Sequence, residues 1–92
     1  MMEWKFEESS LEGIIDMKMF TTKKAAKDYL NQKVKEFKES NKEYDLYYKD
    51  FSKYYLICDY RLKADIEAED EGRKDLGEEG TPYRYFEVDS IG

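Results

Sequence analysis

The stretch Tyr54–Ala68, YYLICDYRLKADIEA, decides the fold. Its even positions, Tyr54, Leu56, Cys58, Tyr60, Leu62, Ala64, Ile66 and Ala68, are all apolar or aromatic, and the odd positions from Asp59 onward are all charged. A period of two places one set of side chains on a core and the other in water, which is the pattern of a strand. We read it as the central strand of an antiparallel sheet. Its length sets a limit, because fifteen residues at about 3.3 Å each would span roughly 50 Å, whereas a compact domain of this size is roughly 32 Å across. The strand must bend at a bulge, project as an arm or end near Lys63. Projection fits the way its apolar side chains dwindle from Tyr and Leu to Ala.

Just upstream the pattern is ambiguous. Tyr44, Tyr47, Tyr48, Phe51, Tyr55, Cys58 and Leu62 also recur at helical spacing, so a second helix over Tyr44–Leu62 would bury them on one face. Strands are the preferred reading, because Tyr and Phe suit a pleated surface and Asp50-Phe51-Ser52-Lys53 makes a turn between Tyr44–Lys49 and Tyr54 onward.

Toward the N-terminus, Met2, Trp4 and Phe6 alternate with Glu3, Lys5 and Glu7, and Ile15, Met17 and Met19 alternate with Asp16 and Lys18. With turn residues Ser9, Ser10 and Gly13 between them, the two segments read as a hairpin. Thr21 or Thr22 then caps a helix whose apolar stripe is Ala26, Leu30, Val34 and Phe37, ending at Ser40 and Asn41. Toward the C-terminus, 69–82 holds three of the five glycines and the only proline, and reads as an acidic, glycine-containing loop. Tyr83–Asp89, with Arg84, Phe86 and Val88 alternating against Tyr85 and Glu87, is a last strand. The expected fold is a single α+β domain: an antiparallel sheet of about five strands in the order ββαβββ, with one amphipathic helix packed on one face.

Ninety-two residues can bury one small core. The aromatic content of 16% argues against disorder despite 41% charged residues. No run approaches a membrane span, and MMEWKFEE lacks the basic-then-apolar order of a signal peptide, so the cytoplasm is the expected location. A single cysteine cannot make an internal disulfide.

The net charge of −6 originates in one place. Between Ala64 and Gly80 eight acids face only Arg73 and Lys74, while acids and bases balance elsewhere. Thr21–Lys42 carries seven lysines against three acids. The molecule is expected to be electrically dipolar.

The absence of histidine removes the commonest general base and the commonest metal ligand together. Cys58, on the apolar face of its strand, reads as a packed, inert thiol, and no phosphate-cradling glycine motif occurs. The composition therefore points away from an enzyme and from any cofactor. The expected function is a small non-catalytic protein-interaction module, an inhibitor or antagonist in its sharpest form. Its acidic arm, Asp65, Glu67, Glu69, Asp70, Glu71, Asp75, Glu78 and Glu79, would occupy a basic, nucleic-acid-binding surface of a partner protein. Tyr47, Tyr55, Tyr83 and Tyr85 are a weaker aromatic contribution to the same contact. No direct nucleic-acid binding and no membrane contact are expected, since the acidic segment repels phosphate.

Two alternatives stand beside this reading. One is a structural subunit that forms homo-oligomers through tyrosine-rich sheet faces. The other is a Ca²⁺-binding loop in which Glu67, Glu69, Glu71, Asp75 and Glu78 occupy ligand positions around Gly72.

Overall fold

The computed structural model describes residues 2–92. Five strands and two helices follow in the order β1 (Glu3–Ser10), β2 (Gly13–Phe20), α1 (Lys23–Ser40), β3 (Tyr44–Phe51), β4 (Tyr55–Leu62), α2 (Lys63–Asp70) and β5 (Tyr83–Ile91). All the strands join one antiparallel sheet in the order β2-β1-β5-β4-β3, with α1 on one face. The expected α+β class, the five strands and the packed helix are all present.

The even residues of β1, β4 and β5 build the core. Trp4 and Phe6, Leu56, Cys58 and Tyr60, and Phe86 and Val88 all turn to the helix side, where Ala26, Leu30 and Phe37 of α1 cover them. Phe37 sits at the centre of an aromatic cluster, its ring edge-on to Tyr44, Tyr60 and Phe86 at 5.2–5.7 Å. Edge-to-face packing of this kind adds about 0.5–1.5 kcal/mol per pair to the area buried. α1 starts where the sequence indicates, at Thr22, whose hydroxyl accepts the Ala25 N–H at 3.1 Å. It stops at Asn41, whose side-chain amide donates to the Phe37 carbonyl.

Three expectations need correction. The central strand is β5, not the Tyr54–Ala68 stretch: β4 lies between β5 and the edge strand β3. The two segments read as hairpins stay paired to each other, and the last strand inserts between β1 and β4, where both of its edges find partners.

The second concerns the favoured projection. The strand neither bends nor projects but ends beside Lys63, the third of the outcomes its length allowed. It stops at Leu62 and the chain becomes α2, which makes the element order ββαββαβ. The ladder runs out there: Leu62 pairs with Tyr44, the first residue of β3, and Arg61 pairs with Tyr83, the first residue of β5. One further bond, Lys63 N–H to the Glu43 carbonyl at 2.7 Å, closes the sheet. Beyond it an extended chain would leave its amides without strand partners, whereas a helix satisfies them internally, and Ala and Glu, both good helix formers, supply half of α2. Gly72, at φ +75°, then terminates α2, with the Gly72 and Arg73 amides donating back to the Glu69 and Ala68 carbonyls. The loop is therefore shorter than expected, and Leu76 and Thr81 are buried within it.

The third concerns the turn after β3, which extends to Phe51, so the reversal falls at Ser52–Tyr54, with Ser52 hydrogen-bonded to the Tyr55 carbonyl. The helical alternative for Tyr44–Leu62 does not occur. The molecule measures 47 × 24 × 22 Å. Among the described residues no helix is long and apolar enough to cross a membrane.

Candidate protein-interaction surface

The odd residues of the central strands build the face that α1 does not cover. Cross-strand register aligns them in rows: Glu7, Glu87, Ile57 and Asp50 in one, Lys5, Asp89 and Tyr55 in the next, and Ser9, Tyr85, Asp59 and Tyr48 in a third. The carboxylates Glu7, Asp50, Asp59, Glu87 and Asp89 outnumber Lys5 and Arg61, and tyrosines stand between them. Ile57 is buried here, so this face carries a small apolar floor of its own.

The chemistry of the face follows from that crowding. Burial, reinforced by Glu87, pushes the Tyr85 hydroxyl up to about 12. Tyr55 is raised by burial and by Asp50. Glu87 is held above the ordinary carboxylate range by burial and by the like charges of Asp89 and Glu7. Burial also raises Asp59, opposed by Arg61, which grips it with two bonds of 3.1 Å. The guanidinium of Arg61 lies over the rings of both Tyr47 and Tyr83, at 5.4 and 5.2 Å.

That arginine end of the face is where α2 docks, against β4 and β3. A bulge between Leu46 and Tyr48 turns Tyr47 toward Arg61, and the Tyr47 hydroxyl donates to Glu69 at 3.1 Å. Burial and that carboxylate both raise the Tyr47 hydroxyl. The acidic segment is thus fastened to the tyrosine face, and the four tyrosines singled out in the sequence, Tyr47, Tyr55, Tyr83 and Tyr85, share one side of the sheet.

The eight acids of the arm do not act alike. Asp65 is turned inward and bonded to Lys74 at 2.8 Å, Glu69 holds Tyr47, and Glu71 pairs with Arg73 at 2.7 Å. Glu67, Asp70, Asp75, Glu78 and Glu79 are exposed and form no ion pair among the described residues. The calcium-loop set is not gathered: Glu67 and Glu69 lie on a helix, and among the described residues no group of three or more His, Cys, Asp or Glu is placed to hold a metal ion. Cys58 is buried in the core, and its thiol is pushed up by that burial.

On the helix side of the same end, a groove of about 510 Å³ has Lys35, Lys38, Lys42 and Lys63 in its lining against the acids Glu39 and Asp45, a net positive balance. The two sides of the sheet therefore differ in sign here, as the uneven charge along the chain implies. Asp50, Asp59, Glu87 and Asp89 were not singled out by the sequence reading. The alternation of Asp59 on β4 and of Glu87 and Asp89 on β5 was visible, but their convergence with Asp50 of β3 depends on strand order.

Comparison with protein-family models, with curated proteins and with solved structures returns no match. The geometry is the whole ground for a functional reading.

Proposed function

We propose that the protein is a small non-catalytic interaction module that engages a basic surface of a partner protein, of the kind that binds nucleic acid, and so acts as an inhibitor or antagonist. One observation carries this reading: the exposed carboxylates that follow β4 are tethered through Glu69 to a sheet face which is itself rich in tyrosine and carboxylate. Tyrosines supply contact area at low entropic cost, and the carboxylates steer and select a cationic partner. The cytoplasm is the proposed setting.

The alternative of assembly through stacked tyrosine faces finds less support. Two copies placed face to face would bring Glu7, Asp59, Glu87 and Asp89 against like charges, at a cost in desolvation and repulsion.

The test uses a partner captured from cell lysate at low salt, purified, and titrated with this protein at increasing ionic strength. Glu67, Asp70, Asp75, Glu78 and Glu79 are changed together to Gln or Asn. At about 0.2–1 kcal/mol per exposed charge, affinity should fall roughly fivefold at the least, and its salt dependence should flatten. Nucleic acid should compete for the same partner. Unchanged affinity and salt dependence in the neutralised protein would refute the reading.

A further inference from the structure

β2 is a free edge of the sheet, and its exposed side chains are unlike those of an ordinary solvated strand. Ile15, Met17 and Met19 are 49%, 55% and 47% exposed. Met17 and Met19 stand opposite Glu7 and Lys5, on the face away from α1, while Asp16 and Lys18 point to the helix side. The alternation seen in the sequence is thus inverted relative to the core: the apolar set faces solvent and the charged set packs near α1. Asp16 accepts the Tyr29 hydroxyl at 2.7 Å and lies 3.7 Å from Lys33, and the Lys18 ammonium sits 4.9 Å from the Tyr29 ring centre.

The two edges of the sheet are defended differently. β3 is broken at mid-strand by its bulge, and its Leu46 N–H is already taken by the Asp45 carboxylate. The bulge of β2 lies near its start, between the pairs Glu8–Asp16 and Ser9–Ile14, so Asp16–Phe20 remains a regular, unpaired edge. Regular edges with apolar side chains invite another strand.

The sequence of β2 matches itself. When two copies run antiparallel about a two-fold axis at Met17, Asp16 of each faces Lys18 of the other and Met17 faces Met17, all within the regular part of the strand, while Met19 of each falls beside the bulged Ile15 of the other. Each of the regular opposite pairs is then either complementary in charge or apolar on both sides, a pattern that stabilises cross-strand contacts. We propose that the protein self-associates through β2 in this register, forming a continuous ten-stranded sheet. The axis stands perpendicular to the sheet, so both tyrosine- and carboxylate-rich faces lie on the same side. The occupant of this edge is a second copy of the chain because the register pairs both charges at once.

Sedimentation velocity of the intact protein should show a concentration-dependent dimer. Met17→Glu, at a solvent-exposed position, should abolish it while leaving the circular dichroism spectrum unchanged. Register is read by mild oxidation with oxidised glutathione, the native chain with its buried Cys58 serving as the blank. Opposed residues of an antiparallel pair lie about 4.5–5.5 Å apart at Cα, within disulfide reach. Met17→Cys should therefore crosslink to itself. Met19→Cys copies would lie roughly 13 Å apart, so Met19→Cys should dimerise without crosslinking to itself. A monomer at every concentration overturns the proposal, as does self-crosslinking of Met19→Cys at the rate of Met17→Cys. The five-site neutralised protein should dimerise unchanged, which separates this result from the fate of the partner-binding reading.

Discussion

Glu8 is a carboxylate in the core side of a sheet, 3% exposed, held by the Arg84 guanidinium and by Lys33 at 3.5 Å. Arg84 also lies over the Phe37 ring at 4.7 Å, so it joins the ion pair to the aromatic cluster. Arg84→Met keeps most of the side-chain volume and a favourable sulfur–aromatic contact but removes the charge. Stripping one partner from a buried pair costs about 3–5 kcal/mol, and the remaining Lys33 contact places the expected loss near the lower end, about 3 kcal/mol. Against a total of about 5–14 kcal/mol for a domain of this length, that is a substantial share, and the melting temperature should drop by roughly 12–24 °C. Urea denaturation followed through Trp4, the only tryptophan and itself buried, reads the change. The double variant Glu8→Leu with Arg84→Met supplies the decisive arm. Leu at position 8 would face Phe86 across the ladder, and replacing both charges should restore stability to within about 1 kcal/mol of the native protein. A loss below about 1 kcal/mol for Arg84→Met would refute the reasoning. So would a double variant no more stable than the single.

Thr22→Ala removes the acceptor of the Ala25 N–H and should cost about 1 kcal/mol in urea denaturation, with the helical signal otherwise intact. The tyrosine hydroxyls provide an alkaline test. Tyr29, through its hydrogen bond to Asp16, and Tyr85, through burial, are both pushed up to about 12. Their folded values exceed the unfolded value near 10, so their contribution to stability is complete below pH 10 and is lost as pH rises through 12. Absorbance at 295 nm should show a late-titrating fraction that Asp16→Asn reduces; a single transition near pH 10 in the native protein would contradict the geometry.

Much of the fold was legible because burial on one side of an element leaves a local period in the chain. Ala26, Leu30, Val34 and Phe37 marked α1 with its cap, and Trp4 and Phe6 marked β1. Phe86 and Val88 marked the core face of β5 in the same way. The concentration of acids after Ala64 was likewise plain, and all of them remain outside the core. The candidate surface was half legible. Tyr47, Tyr55, Tyr83 and Tyr85 were named and do share a face, but composition alone put Asp65 and Glu69 in the same role as Glu67 and Asp70, although Lys74 and Tyr47 engage the first two.

Periodicity in one chain segment records which side of it is covered, and nothing about which segment lies beside it. That is why residues 54–68 showed a strand but not its neighbours, and left an end near Lys63 as one of three options. The strand stops at Leu62 because Tyr44 and Tyr83 are where its two partners begin, a property of the paired strands. The same limit hid Glu8, whose alternation called for an apolar residue and whose charge is tolerated because Arg84, 76 positions away, is brought against it. Composition and local spacing thus set the α+β class, the elements and the charge asymmetry. Only the assembled sheet decided which carboxylates hold the fold and which stay exposed, because burial and pairing arise between segments that the chain keeps far apart.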